Sequence, residues 1–247
     1  MSQDSCNVVI LTTGISGSSV LTGFLARAGY WTGFETVHKK TKYGSYQTHE
    51  NAKLVELNKA LFNAVNYTED YTIEYSNEAV SKFKNAETLI ELDKYQAFIE
   101  ECDQQQPWVW KDPRLWLTLR FWLKLIRKDN LRVILLTRNP RQLWGSLLAK
   151  RQIVSLRTLL NYQSNVLSTS ESLLEENSIP NTKICYEDLI VHPEPTIEKI
   201  NLLLGTQLSV TDLKSVYSKD LYKQPRSQFD YLKSMAIYLR NYSDRIC

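Results

Sequence analysis

Three short segments of this chain gather hydroxyls, amide donors and cations in patterns that suit the holding of an oxyanion. The first is Thr12-Thr13-Gly14-Ile15-Ser16-Gly17-Ser18-Ser19, directly after the apolar run at 7–11. A buried strand, a turn of small residues and a helix start leave backbone N–H groups without intrachain acceptors, and the helix dipole favours negative charge there. Gly14 and Gly17 let the backbone approach a ligand closely, and Ser16, Ser18 and Ser19 add hydroxyls without bulk. The competing reading is a plain turn with a serine cap.

The second segment is Leu135-Leu136-Thr137-Arg138-Asn139-Pro140, followed by Ser146. Arg138 stands just past the C-terminal end of an apolar strand, the edge at which doubly wound sheets bind ligands. Asn139 suits an N-cap, Pro140 the first helical position and Gln142 the third. Ser146 returns to the face of Asn139 roughly 10 Å along the helix, so Arg138 and Ser146 can grip one phosphate, the guanidinium with two prongs. A surface arginine and a small packing serine are the alternative. The third segment, Trp108-Val109-Trp110-Lys111-Asp112-Pro113-Arg114, sets three charges behind a strand and breaks the chain with Pro113 before a helix. Asp112 suits either a site or a cap for the Arg114 helix.

These segments need a scaffold that brings strand ends together. Short apolar runs at 7–12, 108–110, 132–137 and 183–185 alternate with helical patterns at 18–28, 52–64, 86–102, 114–127, 140–150, 156–176 and 195–204, with a last helix at 229–241. That order predicts an α/β fold, a central mostly parallel sheet flanked by helices, in a single domain over 1–247. Gly29 is placed to end the first helix. Residues 30–51 read as less regular, either an acceptor-side lid or a surface excursion, and 216–230 as irregular too.

Bulk properties exclude several classes. The 30 basic and 27 acidic residues leave a net charge of +3, too balanced for wholesale binding of nucleic acid or membrane. No apolar run is long enough to span a bilayer, and the first residues lack the marks of a secretory signal. Cys6, Cys102, Cys185 and Cys247 show no CxxC spacing and read as free thiols, which points to the cytoplasm. No Gly-Lys-Ser/Thr follows the loop, which disfavours a small-molecule P-loop kinase, and no ligand cluster implies a metal.

Taken in order, the segments resemble the P-loop sulfotransferase superfamily, particularly its bacterial branch with a Ser-Gly-Thr/Ser-Ser loop and a Trp-Lys-Asp-Pro-Arg segment. Ser16-Gly17-Ser18-Ser19 is similar to the family's 5′-phosphosulfate loop, Glu50 to Phe62 to its acceptor-side helix, and Arg138-Asn139-Pro140 with Ser146 to its 3′-phosphate clamp. Tyr186-Glu187-Asp188-Leu189 and Leu203-Leu204-Gly205 resemble its late Tyr-Glu-Asp-Leu and Leu-Gly pair. The stretch 219–226 resembles the C-terminal cofactor lid, which adds Lys223 and Arg226 as 3′-phosphate candidates. One position departs: most members carry Lys or Arg before the Ser-Gly, and this chain has Ile15.

The resemblance implies transfer of a sulfuryl group from 3′-phosphoadenosine 5′-phosphosulfate (PAPS), with 3′-phosphoadenosine 5′-phosphate (PAP) as product. The acceptor would be a hydroxyl or amine on a sugar, phenol or aliphatic alcohol. Such a displacement calls for an anion cradle, a cation near the bridging oxygen and a base for the acceptor. The cradle is the loop; Lys111, aided by Arg114, is the candidate cation. Glu50 and His49 are the leading candidate bases, with Asp112 behind them, although a glutamate at a helix start also serves the dipole. Trp31, Tyr43, Tyr46 and Trp116 are candidates to stack on an acceptor. A catalytically impaired homologue that only binds nucleotide is the main rival, motivated by Ile15.

Overall fold

The computed structural model describes residues 6–14, 16–41, 44–149, 152–216 and 228–242. Its centre is a four-stranded parallel sheet in the order β4-β1-β5-β6, formed by β1 (Asn7–Thr12), β4 (Val109–Lys111), β5 (Leu131–Thr137) and β6 (Asn181–Cys185). Helices cover both faces, so the protein is an α/β fold. Every residue of β1 is buried, as expected of a central parallel strand covered on both sides.

The period-2 alternation of the strands sorts the core into two halves. Val8, Ile10, Ile134, Leu136 and Ile184 pack with α1 (Ser18–Arg27), α8 (Tyr186–Val191), α9 (Pro193–Leu204) and α10 (Val210–Val216). Val9, Leu11, Val133 and Leu135 face the larger half, with α2 (Ala52–Ala64), α3 (Asn77–Lys84), α4 (Asp93–Asp103), α5 (Leu115–Trp122), α6 (Pro140–Ala149) and α7 (Leu156–Glu176). Trp108, Trp110, Trp122, Phe98 and Tyr95 form a connected aromatic cluster there. A last helix, α11 (Gln228–Tyr242), lies on α6, where Trp144 meets Tyr231 and Tyr238.

The first helix ends as its residues require. Gly29 has φ 92°, the Gly29 N–H donates to the Ala26 carbonyl, and the Tyr30 N–H donates to that of Leu25. This double closure needs a left-handed residue that glycine adopts freely.

Three expected elements differ, the first being the helix expected over 114–127, which ends at Trp122. Residues 30–51 hold an antiparallel hairpin, β2 (Thr36–Thr41) with β3 (Gly44–Asn51), where the sequence reads as irregular. The single helix expected over 86–102 is a 3₁₀ turn at Ala86–Leu89 followed by α4, because Ile90 is extended at φ −138°, ψ 158°. Among the described residues no helix is long and apolar enough to cross a membrane.

Candidate active site

Parallel pairing brings the functional segments to one edge of the sheet. Ile10 is level with Lys111, Thr12 with Leu136, and Thr137 with Cys185. The turn after β1, the charges after β4, Arg138 after β5 and Tyr186–Glu187 after β6 therefore lie side by side.

The turn after β1 is shaped for close approach. Gly14 and Gly17 have φ 76° and 78°. Gly17 is the N-cap of α1 and no described side chain caps that helix, so among the described residues its dipole end is open to an anion. The ring of Tyr186 lies flat against Gly17: a Cβ there would stand 2.2 Å from two ring carbons. Thr12 and Ser16 exchange a short hydrogen bond between their hydroxyls, which ties the end of the strand to the turn. Ser16 is buried, while Ser18 and Ser19 are half-buried at the mouth. Ile15 lies outside the described residues.

Lys111 and Glu50 form a buried ion pair of 2.7 Å, their side chains 1% and 8% exposed. Burial pulls Lys111 below the usual lysine range, and the adjacent Glu50 opposes that shift. Lys39 approaches the same Glu50 oxygen at 3.8 Å from the half-exposed hairpin. A bulge directs Glu50 inward: pairing slips between Thr36 and His38, and His49 takes φ 57°, rare for a non-glycine residue. The His49 ring is thereby laid against Gly23 of α1, its Nε2 2.9 Å from where a Cβ would stand. Burial, then Lys111 and His38, hold His49 below the usual histidine range, so the imidazole is neutral and able to accept a proton.

Asp112 is wholly buried. Its carboxylate accepts from the Arg114 N–H at 2.9 Å and from the Arg114 guanidinium at 2.9 and 3.2 Å. Asn58 of α2 donates to it at 3.0 Å and accepts from the Trp122 indole at 2.8 Å. Arg114 also lies over the Tyr71 ring at 5.0 Å. In this arrangement Asp112 braces the turn that leads into α5, with its lone pairs already engaged.

Arg138 reaches Glu187 at 3.3 Å and lies over the Tyr186 ring at 5.5 Å. Glu187 also accepts from the Asn139 N–H at 2.9 Å, and Asn139 caps α6 by accepting from the N–H groups of Arg141 and Gln142. Ser146, half-buried on α6, donates its one hydroxyl proton to the Gln142 carbonyl, so holding a phosphate requires that proton to turn away from Gln142. A cavity of about 490 Å³ runs from Thr12 and Thr13 to Arg138, Asn139 and Pro140 beneath α7. Two buried polar atoms on residues of that lining, Thr13 Oγ1 and Gln163 Oε1, meet no hydrogen-bond partner among the described residues. Buried groups of this kind are costly unless something bonds to them.

Two solved structures are similar over most of the chain. The sulfotransferase domain of the Synechococcus PCC 7002 olefin synthase matches 97% of this chain and 97% of its own, with TM-score 0.50 and 16% identity. The sulfotransferase domain from the curacin biosynthetic pathway matches 88% of this chain and 79% of its own, with TM-score 0.51 and 18% identity. This chain has the sulfotransferase fold. No protein-family sequence model and no curated relative matches it, so the likeness is carried by architecture.

Within that fold, several neighbours of the expected site residues are not evident from the segments themselves. Asn58 orients Asp112, Tyr186 floors the turn, Glu187 meets Arg138, and Lys39 adds a second cation to Glu50. The strand-end argument that selects Arg138 applies equally to Tyr186 and Glu187 after β6; Asn58 leaves no such signal. Trp116 is 1% exposed, donates to the Tyr71 carbonyl and packs on Tyr75 and Tyr162, so it belongs to the core and not to an acceptor surface. Trp31 and Tyr46 are half-buried. Tyr43, Lys223, Arg226 and Cys247 lie outside the described residues.

Proposed function

We propose that this chain is a PAPS-dependent sulfotransferase acting on a hydroxyl or amine of a small-molecule or glycan acceptor. One observation carries the reading: within a sulfotransferase fold, Thr12 and Thr13, which lead into the turn before α1, and Arg138 line one cavity on which two buried polar groups lie without a partner among the described residues. The donor set fits a nucleotide bearing phosphates at both ends. The open N–H groups of α1, with Ser16, Ser18 and Ser19, would hold the 5′-phosphosulfate, and Arg138 with Ser146 the 3′-phosphate. Exchange of Glu187 for a phosphate as the partner of Arg138 would keep the cation paired throughout.

When bound, PAPS supplies the sulfuryl group. The chain's own residues would prepare both partners of the transfer. Glu50 or the neutral His49 would take the acceptor's proton, both being set by the β3 bulge beside Lys111. Lys111 would add positive charge where negative charge develops on the leaving oxygen, an effect that counts for more in a dry site. Asp112 would hold Arg114 in place and take no proton.

The rival, a homologue that binds nucleotide without transfer, gains support from the burial of Lys111 against Glu50. Thermal shift separates the readings. PAP at a hundredfold excess over its dissociation constant stabilises by about 2.7 kcal/mol, or about 5–10 °C at this chain length. A flat titration on folded protein refutes both. Stabilisation by PAP with no PAPS-dependent transfer to sugar, phenol or alcohol acceptors favours the rival. Stabilisation only by ATP with magnesium would point to a kinase.

A further inference from the structure

A second cavity, of about 560 Å³, lies at the opposite end of the sheet, between α3, α5 and α7. One of its lining residues, Lys128, accepts through its carbonyl from the N–H of Leu131, the first residue of β5, so a full strand length separates it from the loop after β1. Arg120 lies on its wall, 7% exposed. Its Nη1 donates to the Trp116 and Leu117 carbonyls at 2.8 and 2.7 Å. The Nε and Nη2 donors meet no described acceptor, and no described carboxylate forms an ion pair with Arg120.

A guanidinium this buried needs a counter-charge. The rest of the lining supplies more cations. Lys84, Lys124 and Lys128 border the same cavity, and Glu176 is its one acidic residue. Lys84 has no described partner for its ammonium, and Lys128 donates only to Asn177. Lys124 is shared between the Lys84 carbonyl and Glu87 outside the cavity. Tyr75 and Thr169 add a hydroxyl pair at 2.6 Å on the wall. Burial lowers Arg120 to about 10, so it stays charged at neutral pH.

We propose that this cavity binds a small oxyanion, a phosphate or sulfate group, with Arg120 as the buried fork and Lys84 and Lys128 as rim cations. The planar donors Nε and Nη2 match two oxygens of a tetrahedral anion, which is the geometry arginine offers and lysine does not. Glu176 lines the same cavity and its carboxylate favours the charged form of Arg120, so it competes with an incoming oxyanion and limits affinity.

The Nε–H cross-peak of Arg120 in an arginine-selective nitrogen spectrum reports this cavity and not the distant loop, and its loss in Arg120→Lys assigns it. Titration with inorganic phosphate, and separately with sulfate, should shift that peak saturably in the parent, while chloride at equal ionic strength should not. Lys84→Glu/Lys128→Glu changes only exposed positions and should weaken binding at least about tenfold. Glu176→Gln should tighten it. A cross-peak unmoved by either oxyanion in folded protein overturns the proposal, as does an equal response to chloride. A Glu176→Gln protein that is strongly destabilised and binds no tighter would identify Glu176 as the counter-charge of Arg120 and also refute it.

Discussion

The Lys111–Glu50 pair can be tested by breaking it from each side. At 2.7 Å, with side chains 1% and 8% exposed, it falls in the class where removing one partner costs about 3–5 kcal/mol because the other charge is stranded. Glu50→Gln strands Lys111, which has the lower exposure and faces Lys39 nearby, so the full cost of about 3–5 kcal/mol is expected. Lys111→Met strands Glu50, but Lys39 at 3.8 Å remains as a cation, and a loss of about 1–3 kcal/mol follows. The double variant strands neither charge and should lie within about 2 kcal/mol of the parent. The coupling is then at least about 2 kcal/mol, read by urea unfolding, with Glu50→Gln melting about 6–20 °C below the parent. The pH dependence adds a signature. In Glu50→Gln the lowered Lys111 sheds its proton in the folded state before the unfolded chain does, so stability rises with pH towards the ordinary lysine value. Single losses that add to within about 0.5 kcal/mol would show that the two groups do not depend on each other.

Three further outcomes follow from the site. Gly17→Ala puts a Cβ 2.2 Å from the Tyr186 ring at φ 78°; it should cost about 1–3 kcal/mol and abolish PAP binding, and Tyr186→Ala on that background should restore room but not the backbone, giving partial recovery by calorimetry. Arg138→Ala should weaken PAP by about 2–3 kcal/mol while affecting adenosine 5′-phosphosulfate much less; equal losses for both nucleotides would remove Arg138 from the 3′-phosphate. Because His49 is held below its ordinary value, the unfolded chain takes up its proton first as pH falls below about 6.5, so stability declines there, and His49→Gln should flatten that decline in urea midpoints measured from pH 7 to 5.

The strand–turn–helix at 7–27 was readable because its signals agree: an unbroken apolar run, glycines where φ is positive, and Gly29 after the last turn. The hairpin of β2 and β3 was not, because Thr36–Thr41 is mostly polar and presents no alternating apolar face; what holds it is pairing, which a local pattern does not express. The break at Ile90 hid for the opposite reason: its apolar neighbours keep a helical period through a residue whose backbone is extended. Strand-end logic put Lys111, Arg138 and the loop at one edge of the sheet, where they lie. That Glu50 meets Lys111 across 61 positions depends on a bulge at His49, and nothing in the spacing of the two segments announces it.

Asn58 carries a consequence of its own. Fully buried, it donates a hydrogen bond to Asp112 and accepts one from Trp122, so the position demands a donor at one end and an acceptor at the other. Aspartate there would set two carboxylates face to face in a dry interior, and leucine, though equal in bulk, would orphan a carboxylate oxygen and an indole N–H together. Serine would be too short to span both. Few side chains other than an amide satisfy that polarity, so a position outside the proposed chemistry should tolerate substitution as poorly as the residues proposed to carry it.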